Sequence, residues 1–384
     1  MKRFIVILSC IAVVLLATGC SDIKTNSRQI VVATSDELND ALKNAEPADS
    51  ILLKEGVYCG DFKCEVSGQE DKQIQIASYP GERATVTLSP DKSGAAIHMN
   101  GCENIVISDI TFADMRGENV YGISMTGGES NITIRNCEFK DIETTDPGTE
   151  NKAGGEANAI LLLGETQTPI SNISIENNKI HNIVNGWSEN ISVAGNCENI
   201  YVKENVVYDC TNIGIDFYGN AEYCENPGLD QPRNCECTGN RIYNCNSFYA
   251  ANAGIYVDGA YDILIENNEV YGNDYGIEIG SEEWRDYYGK DNLVRGITVN
   301  NNDIHDNTEC GLRIGGWTDD DTTGTVTDCV ISENRFENNE TEILLAKCSN
   351  IRFKGNKFDK GVSCKEAVEY DDAISKDKIT KIIF

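Results

Sequence analysis

Short runs of alternating apolar and polar residues recur along most of the chain. Nine of these runs begin at Asn104, Asn131, Asn172, Asn199, Asn234, Asp262, Gly296, Asp328 and Asn350. A second set with the same period begins at Gly122, Asn190, Gly214, Gly254, Gly276 and Gly311. A period of two residues is typical of a β-strand with one buried face. Because no helical periodicity separates the runs, the pattern predicts an all-β chain built from a repeat.

An asparagine follows seven of the nine runs at a fixed distance. It stands three residues after the last apolar member, at Asn178, Asn205, Asn240, Asn268, Asn302, Asn334 and Asn356. An asparagine tolerates left-handed backbone geometry and can hydrogen-bond to its copy in the next repeat, so we expect a tight turn here. Three short strands per unit then predict a parallel solenoid whose coils are stacked about 4.8 Å apart.

This pattern resembles the right-handed parallel β-helix of the pectate lyase fold, through the asparagine turn between the second and third strands of each coil. The resemblance extends over residues 90 to 358. It implies an all-β, single-stranded right-handed parallel β-helix with three strands per coil and an asparagine ladder. That fold hosts lyases, hydrolases, epimerases and adhesins, so it does not by itself select an activity.

We divide the chain into a leader, a tether, two caps and the repeats. The boundaries are a signal peptide at 1–19, a tether at 20–28, an N-terminal cap with the first coils at 29–95, repeats at 96–358 and a C-terminal cap at 359–384. The ends of a solenoid must be capped. Near the first end, Ser35, Glu37 and the apolar stripe of Leu38, Leu42 and Ala45 predict a short capped amphipathic helix. No linker is visible, which indicates one domain.

The start of the chain has the pattern of an export signal. Lys2 and Arg3 precede an apolar run that is too short for a comfortable membrane span. Small residues directly before Cys20 resemble the lipobox of bacterial lipoproteins. This resemblance implies that Cys20 is lipidated and that the protein is held at the cell envelope, outside the cytoplasm, by its lipid alone. An ordinary signal peptide with a chance cysteine at its end is the alternative.

The net charge limits the ligands that the chain can bind, and the positions of the cysteines limit the disulfide bonds that we expect. The chain has 62 acidic against 32 basic residues, a net charge of -30, which excludes nucleic-acid binding because phosphate backbones need a basic face. Several of the 16 cysteines fall at inward strand positions, such as Cys235, Cys237 and Cys329, so we expect many to be free. Cys59 and Cys64 are the best local disulfide candidates. We expect a monomer.

Strand alternation places a group of carboxylates on one outer face. Ile215 and Phe217 point inward, so their neighbours point outward. The outward residues of successive coils are Asp216 and Tyr218, then Tyr256 and Asp258, then Glu278, then Arg313. We therefore expect one exposed column of Asp216, Tyr256, Glu278 and Arg313, with Asp258 beside it. The Cα atom of Asp258 is expected about 8 Å from those of Asp216 and Glu278.

Four readings of this patch remain open. Crowded carboxylates raise one another's proton affinity, which pairs a protonated acid with an ionised base, as glycoside hydrolysis requires. Asp216, Asp258 and Glu278 could instead hold Ca²⁺, the one cofactor we consider. Elimination needs a base, usually Lys or Arg in the lyases resembled here, and only Arg313 lies on the column, with Lys290 in an insertion. A surface salt bridge between Glu278 and Arg313 is the purely structural reading.

Long insertions beside the same strands predict the walls of a binding groove. They cover residues 219–233, 283–295 and 317–327, and the tryptophans in or next to them are Trp187, Trp284 and Trp317. Sugar rings stack on indole, so these residues, with Tyr218, Tyr256 and Glu282, form the predicted substrate-binding set. Each tryptophan could instead pack its own loop. The acidic run at 319–321 could bind calcium, but it is more typical of a solvated surface loop.

A recurrent group of exported β-helix proteins of mostly unassigned activity contains stretches similar to Gly214-Ile-Asp-Phe, Gly254-Ile-Tyr-Val-Asp-Gly, Gly276-Ile-Glu-Ile and Ile314-Gly-Gly-Trp. This resemblance alone implies Asp216, Asp258 and Glu278 as site residues. We therefore hypothesise a membrane-tethered, carbohydrate-active protein that cleaves or modifies a polysaccharide, with those residues and Arg313 at its centre. The alternative is a non-catalytic surface protein of the adhesion type that binds glycan or a partner along the solenoid.

Overall fold

The chain winds into stacked coils that build three parallel sheets, with one strand per coil in each sheet except that the sheet 1 strand of the last three coils is split into two short strands. The computed structural model describes residues 27–282, 294–315, 325–359, 361–371 and 378–384. Sheet 1 contains Gln29–Val32, Ser50–Leu53, Ile74–Ser78, Glu103–Ser108, Ser130–Arg135, Ile170–Glu176, Cys197–Lys203, Arg233–Thr238, Tyr261–Glu266, Val294–Arg295, Thr298–Asn300, Val326–Thr327, Val330–Ser332, Cys348–Ser349 and Arg352–Lys354.

Sheets 2 and 3 follow sheet 1 in each coil. Sheet 2 contains Gly56–Cys59, Ala84–Thr87, Thr111–Gly117, Glu138–Thr144, Lys179–Val184, Val206–Cys210, Arg241–Cys245, Glu269–Tyr271, Asp303–His305, Arg335–Glu337 and Lys357–Phe358. Sheet 3 contains Phe62–Cys64, Gly94–Met99, Asn119–Met125, Glu156–Gly164, Ile191–Gly195, Ile215–Tyr218, Ala253–Asp258, Tyr275–Gly280, Cys310–Ile314, Thr341–Leu345 and Val368–Tyr370. A short 3₁₀ helix, Pro227–Leu229, lies in the loop after Ile215–Tyr218.

Like residues stack on like residues along the solenoid. In sheet 3, Ile215 is the Cα partner of Ile255, and the same register continues through Ile277 to Leu312. These inward side chains are fully buried and belong to one continuous apolar core that runs from Val32 to Val368. The predicted fold, an all-β single-stranded right-handed parallel β-helix with three strands per coil, is confirmed.

The asparagine ladder is present at the turn between sheets 1 and 2. These two sheets correspond to the second and third strands of the predicted coil, and sheet 3 corresponds to its first strand. Asn240 donates from Nδ2 to the carbonyl of Val202 at 2.8 Å and to Oδ1 of Asn268 at 3.0 Å. Its own Oδ1 accepts the backbone N–H and the Nδ2 of Asn205, at 2.9 and 3.0 Å. The left-handed residue of the turn is the one before the ladder asparagine, such as Gly239 with φ 68°. Our expectation that the ladder asparagine itself takes this geometry is therefore wrong.

Left-handed residues recur in two further columns, which explains why Asn, Asp and Gly are frequent at regular places. The residue that opens each of the nine runs has a positive φ, for example Asn104 at 56° and Asn234 at 54°. A matching column crosses sheet 2, with Asp114 at 57° and Asn244 at 54°. Residues with short polar side chains, and glycine, enter this region at least cost, so the winding of the coil selects them.

The first coil is covered by the predicted helix, which spans Ser35–Asn44. Thr34, not Ser35, is its N-cap, because Thr34 Oγ1 accepts the backbone N–H of Glu37 at 3.2 Å and the Glu37 carboxylate accepts the N–H of Thr34 in return. The helix buries Leu38 and Leu42 against the end of the barrel. In the described part of the chain, no helix has the length and apolar character needed to cross a bilayer.

The cysteines of the described chain are free. Cys235, Cys237 and Cys329 lie in the core as predicted. The proposed disulfide between Cys59 and Cys64 is wrong, because Cys59 is exposed with its Sγ 3.7 Å from Ser89 Oγ, whereas Cys64 points into the barrel. Cys59 points outward from sheet 2, whereas Cys64 points inward from sheet 3. Cys20, the predicted lipidation site, lies outside the described residues.

Candidate active site

The predicted outer column forms on sheet 3. Asp216 is the Cα partner of Tyr256, Tyr256 of Glu278, and Glu278 of Arg313. Asp258 lies beside the column, opposite Tyr218 in the preceding coil. Residues separated by 62 positions in sequence therefore come within two coils of each other, because every inward isoleucine of sheet 3 holds the same register.

The column is buried rather than exposed, which corrects our expectation. Asp216, Tyr256, Asp258, Glu278 and Arg313 are only 2%, 2%, 3%, 1% and 4% exposed. They point away from the barrel core, but loop residues enclose them. We call the resulting cavity the acid pocket, with Asp216, Tyr256, Asp258 and Glu278 at its floor and Trp187 and Asn252 in its walls.

Asp216 carries an unpaired buried oxygen. Its Oδ1 has no hydrogen-bond partner among the described residues, and the side chain faces the acid pocket. Burial, followed by the negative charges of Glu189 and Asp258, raises the pKa of the Asp216 carboxyl well above its ordinary value. Burial therefore favours the protonated form of the Asp216 carboxyl more than in an exposed aspartate.

Asp258 has a similar setting but one additional donor. Burial, followed by the charge of Glu282, raises the pKa of the Asp258 carboxyl well above its ordinary value. The backbone N–H of Glu282 donates to Asp258 Oδ1 at 2.8 Å, which stabilises the ionised form of Asp258. Tyr256 stands between the two aspartates, and burial and the charge of Asp258 raise the pKa of its hydroxyl.

Arg313 and Glu278 form a buried ion pair. Arg313 Nε lies 3.3 Å from Glu278 Oε1, with the two side chains 5% and 1% exposed. Although burial opposes the charge of Arg313, the negative charge of Glu278 raises the pKa of the guanidinium. The pair is therefore buried and is not the surface salt bridge that we considered. At this end of the column the positive charge of Arg313 neutralises the negative charge of Glu278.

Glu189 is a site residue that our sequence reasoning missed. It lines the acid pocket, and burial raises its pKa to about 7. Glu189 precedes the strand Ile191–Gly195, so strand alternation alone did not mark it. Aligning the repeats would have found it, because the equivalent residues of the next coils, Ile213 and Ala253, are apolar.

The predicted binding residues that the structure describes gather at the same pocket. Trp187 is 36% exposed and stacks on Tyr249, with ring centroids 5.3 Å apart, while its Nε1 donates to the carbonyl of Thr149. Tyr218 lies in the wall, and Glu282 accepts a hydrogen bond from Tyr256 at 3.4 Å. Trp284, Trp317, Lys290 and the acidic run at 319–321 lie outside the described residues.

A metal centre receives no support from the geometry. Among the described residues, no three His, Cys, Asp or Glu side chains are arranged so that they could hold one metal ion. Asp216, Asp258 and Glu278 share the pocket floor, but they do not meet at one point. The calcium hypothesis stays a prediction, and we derive no chemistry from it.

Comparison with known proteins supports the fold and leaves the activity open. The chain is 28% identical over 341 residues, 85% of its length, to the uncharacterized protein YwoF of Bacillus subtilis (strain 168), of which it covers 69%. The structure resembles PfbA, a surface adhesin of Streptococcus pneumoniae, with a TM-score of 0.55 and 14% identity over 84% of this chain and 85% of that one.

A second structural neighbour is the A-module of the mannuronan C-5 epimerase AlgE6 of Azotobacter vinelandii, with a TM-score of 0.52 and 13% identity over 87% of this chain and 90% of that one. At such identities the likeness concerns the fold alone. A family model described as "Right handed beta helix region" matches residues 83–283 and 233–375, so the chain belongs to the right-handed β-helix family.

Proposed function

We propose that this protein is a glycoside hydrolase that cleaves a polysaccharide in the acid pocket, with Asp216 as general acid and Asp258 as general base. The observation that carries the proposal is a buried Asp216 oxygen that has no hydrogen-bond partner among the described residues and lies beside a second buried aspartate. An unpaired buried carboxyl costs stability, about 1–3 kcal/mol for the lost hydrogen bond alone, so its presence needs a reason other than folding.

The two aspartates differ in the way that acid and base must differ. Their Cα atoms stand on adjacent strands, offset by two residues, which places them about 8 Å apart. At that separation the two negative charges oppose each other, so one proton remains on the pair. The backbone donor from Glu282 favours ionised Asp258, and the absence of any described donor to Asp216 Oδ1 favours protonated Asp216.

The reaction follows from these states. Asp216 donates its proton to the glycosidic oxygen as the bond between that oxygen and the anomeric carbon breaks. Asp258 takes a proton from the water that attacks the anomeric carbon. One water is consumed, and the two aspartates regain their starting states when the proton returns from Asp258 to Asp216 through solvent.

Elimination is less well supported by these residues. No Lys, Arg or His lines the acid pocket in the described part of the chain. Arg313 pairs with Glu278, and the pKa of Tyr256 is raised, so neither is prepared to remove a carbon-bound proton. Five carboxylates line the pocket, at Glu189, Asp216, Asp258, Glu278 and Glu282.

The names of two fold neighbours are consistent with a carbohydrate ligand or a surface partner. The AlgE6 module is named for an activity on a polysaccharide, mannuronan, and PfbA is named as a surface adhesin. These names favour a carbohydrate-active or surface-binding protein without choosing between them. The unpaired Asp216 makes us prefer catalysis.

The test is a polysaccharide panel assayed with the parent, Asp216→Asn and Asp258→Asn. Hydrolysis predicts new reducing ends without the ultraviolet absorbance of unsaturated products, and loss of most of the turnover in both variants. Asp114→Asn, an exposed left-handed position on sheet 2 that asparagine accepts, is the matched control. Unsaturated products would show that the reaction is an elimination and not a hydrolysis. Binding without turnover on the whole panel would favour the non-catalytic alternative.

We also propose that Cys20 carries the lipid that tethers the domain to the cell envelope. The support is the sequence pattern of small residues before Cys20 after an apolar run. In a bacterial host, the parent is expected in the membrane fraction and Cys20→Ser in the soluble extracytoplasmic fraction. Equal membrane association of both proteins would contradict the lipid anchor.

A further inference from the structure

A second cavity, which we call the side pocket, adjoins the acid pocket toward the N-terminal end of the solenoid. Its lining includes Tyr121, Glu156, Asn158, Glu189, Ser192 and Tyr223. Trp187, Tyr218 and Glu189 line both pockets, so the two are continuous. We propose that the side pocket is a subsite for a sugar that carries a protonated amine. This inference rests on the proposed function and names its substrate class, a polysaccharide with free amino groups.

Asn158 presents an unpaired acceptor in the side pocket. The residue is 1% exposed, and its Nδ2 donates to the backbone carbonyl of Glu189 at 2.7 Å. That bond orients the amide and leaves Oδ1 without a hydrogen-bond partner among the described residues. A buried acceptor in this state is satisfied by a ligand that donates hydrogen bonds. An amine supplies such donors, and a carboxylate does not.

The charges of the side pocket have one sign. Glu156 and Glu189 both line it, and no Lys, Arg or His does so in the part of the chain that the structure describes. Glu156 accepts a hydrogen bond from the Tyr121 hydroxyl at 2.8 Å, which holds its carboxylate at the pocket edge. Burial and then the charge of Glu156 raise the pKa of that hydroxyl. A cation in the pocket would be attracted by the Glu156 carboxylate, and it would favour the ionised form of Glu189, whose pKa burial raises to about 7.

Other sugar chemistries fit these groups less well. A uronate would add a negative charge next to Glu156 and would oppose the ionisation of Glu189. A neutral sugar could satisfy Asn158 with a hydroxyl, but it would leave the Glu156 carboxylate without a counter-charge. The aromatic walls of Trp187 and Tyr223 provide apolar faces for a sugar ring of any charge, so the selection rests on the carboxylates.

The test measures binding, so that it does not depend on turnover. Asp216→Asn full-length protein is titrated by calorimetry at pH 6 with a glucosamine oligosaccharide, its N-acetylated counterpart, a galacturonate oligosaccharide and a lysine oligomer. We expect the amine-bearing sugar to bind at least tenfold more tightly than the other three, with an affinity that falls as salt is added. Adding Glu156→Gln, at an exposed position, should remove most of that preference.

Glu103→Gln on sheet 1 is the matched control and should leave the preference unchanged, because this exposed carboxylate lies on another face. Equal binding of the acetylated and free-amine sugars would overturn the inference, as would equal binding of the lysine oligomer. If the amine-bearing sugar binds as expected but the parent protein does not cleave it, the hydrolase proposal fails while the subsite stands. Cleavage of an amine-free polysaccharide together with no preference for the amine-bearing sugar in the titration would leave hydrolysis intact and exclude the subsite.

Discussion

The asparagine ladder and the acid column are both columns of buried polar side chains in the described part of this solenoid, and they differ in whether their hydrogen bonds are made. In the asparagine ladder, each inner member such as Asn240 donates to a carbonyl and to the next amide, and accepts from the preceding coil. In the acid column on sheet 3, Asp216 has one oxygen with no hydrogen-bond partner in the part of the chain that the structure describes, and it faces other carboxylates. Both columns are about equally buried, with Asn240 at 1% and Asp216 at 2% exposure.

This difference distinguishes polar groups that are buried for stability from polar groups that are buried for function. A paired polar group inside a protein contributes specificity and stability, because breaking the network leaves several groups unsatisfied. An unpaired carboxyl among like charges opposes folding, so it is retained for the ligand or the chemistry that it serves. The four predictions below test this distinction.

The largest effect is expected from Asp216→Asn on catalysis. Removing a general acid lowers turnover about 10²- to 10⁴-fold. Since the amide has no charge to desolvate, the thermal midpoint at pH 7 should stay the same or rise. Reducing-end assays and calorimetric melting on the same preparation provide both values. Undiminished turnover, or a lower midpoint, would contradict the role assigned to Asp216.

The next effect is expected from Asn240→Ala on stability. The change leaves the Asn205 amide and the Val202 carbonyl unsatisfied in the core, at a cost of about 3 kcal/mol or more. Urea denaturation measures this loss. Turnover per folded molecule should match the parent, because the ladder lies between sheets 1 and 2, away from the acid pocket. A variant as stable as the parent would show that the ladder is dispensable.

A smaller effect is expected in the pH dependence of stability. The folded-state pKa values of Asp216, Asp258 and Glu189 are raised, so the native state holds more protons than the unfolded state above pH 4. Their contribution to stability is complete below the ordinary carboxyl pKa and is lost as pH rises, for Glu189 up to about 7.

The free energy of unfolding cannot change by more than about 1.4 kcal/mol per pH unit for each proton that the two states bind differently. For each protein, urea denaturation gives the free energy of unfolding at pH 4 and at pH 7. The decrease between these pH values should be larger for the parent than for Asp216→Asn or Glu189→Gln. The matched variant Asp114→Asn should follow the parent. Identical pH profiles for all four proteins would mean that these carboxyls titrate normally in the folded state.

The smallest effect is expected on sheet 2, where a third stack is made of aromatic rings. His181, Tyr208, Tyr243, Tyr271 and His305 are stacked in register, with centroids 4.8 to 5.0 Å apart. Tyr243→Leu removes two ring contacts at about 1 kcal/mol each, partly offset by apolar packing. We expect a loss of about 1 kcal/mol in urea denaturation and unchanged turnover. A drop in turnover would tie sheet 2 to the acid pocket.

Much of the fold could be predicted because the same sequence pattern recurs in successive coils. The two-residue period, the ladder asparagines and the glycine-led runs all follow from the register of a stacked coil. The helix at the first end was also predictable, within one residue of its cap. The disulfide between Cys59 and Cys64 was wrong because proximity in sequence says nothing about which side of a strand wall each thiol occupies.

The candidate site was predictable in part. Strand alternation placed Asp216, Tyr256, Glu278 and Arg313 in one outward column, and the register agrees. It could not show that loops bury this column, nor that Glu189 reaches the same pocket from a position before its strand. Both facts depend on loop paths, which carry no periodicity.

The amino-acid sequence by itself determined the coil, its three sheets and the outward direction of each carboxylate, because a repeated pattern of inward apolar residues permits one register. Only the tertiary structure decided which of those outward groups lose contact with water, which find a donor and which remain unpaired. Proton affinity depends on these surroundings, and segments distant in sequence supply them. The chemistry of the acid pocket is therefore a property of the assembled coils.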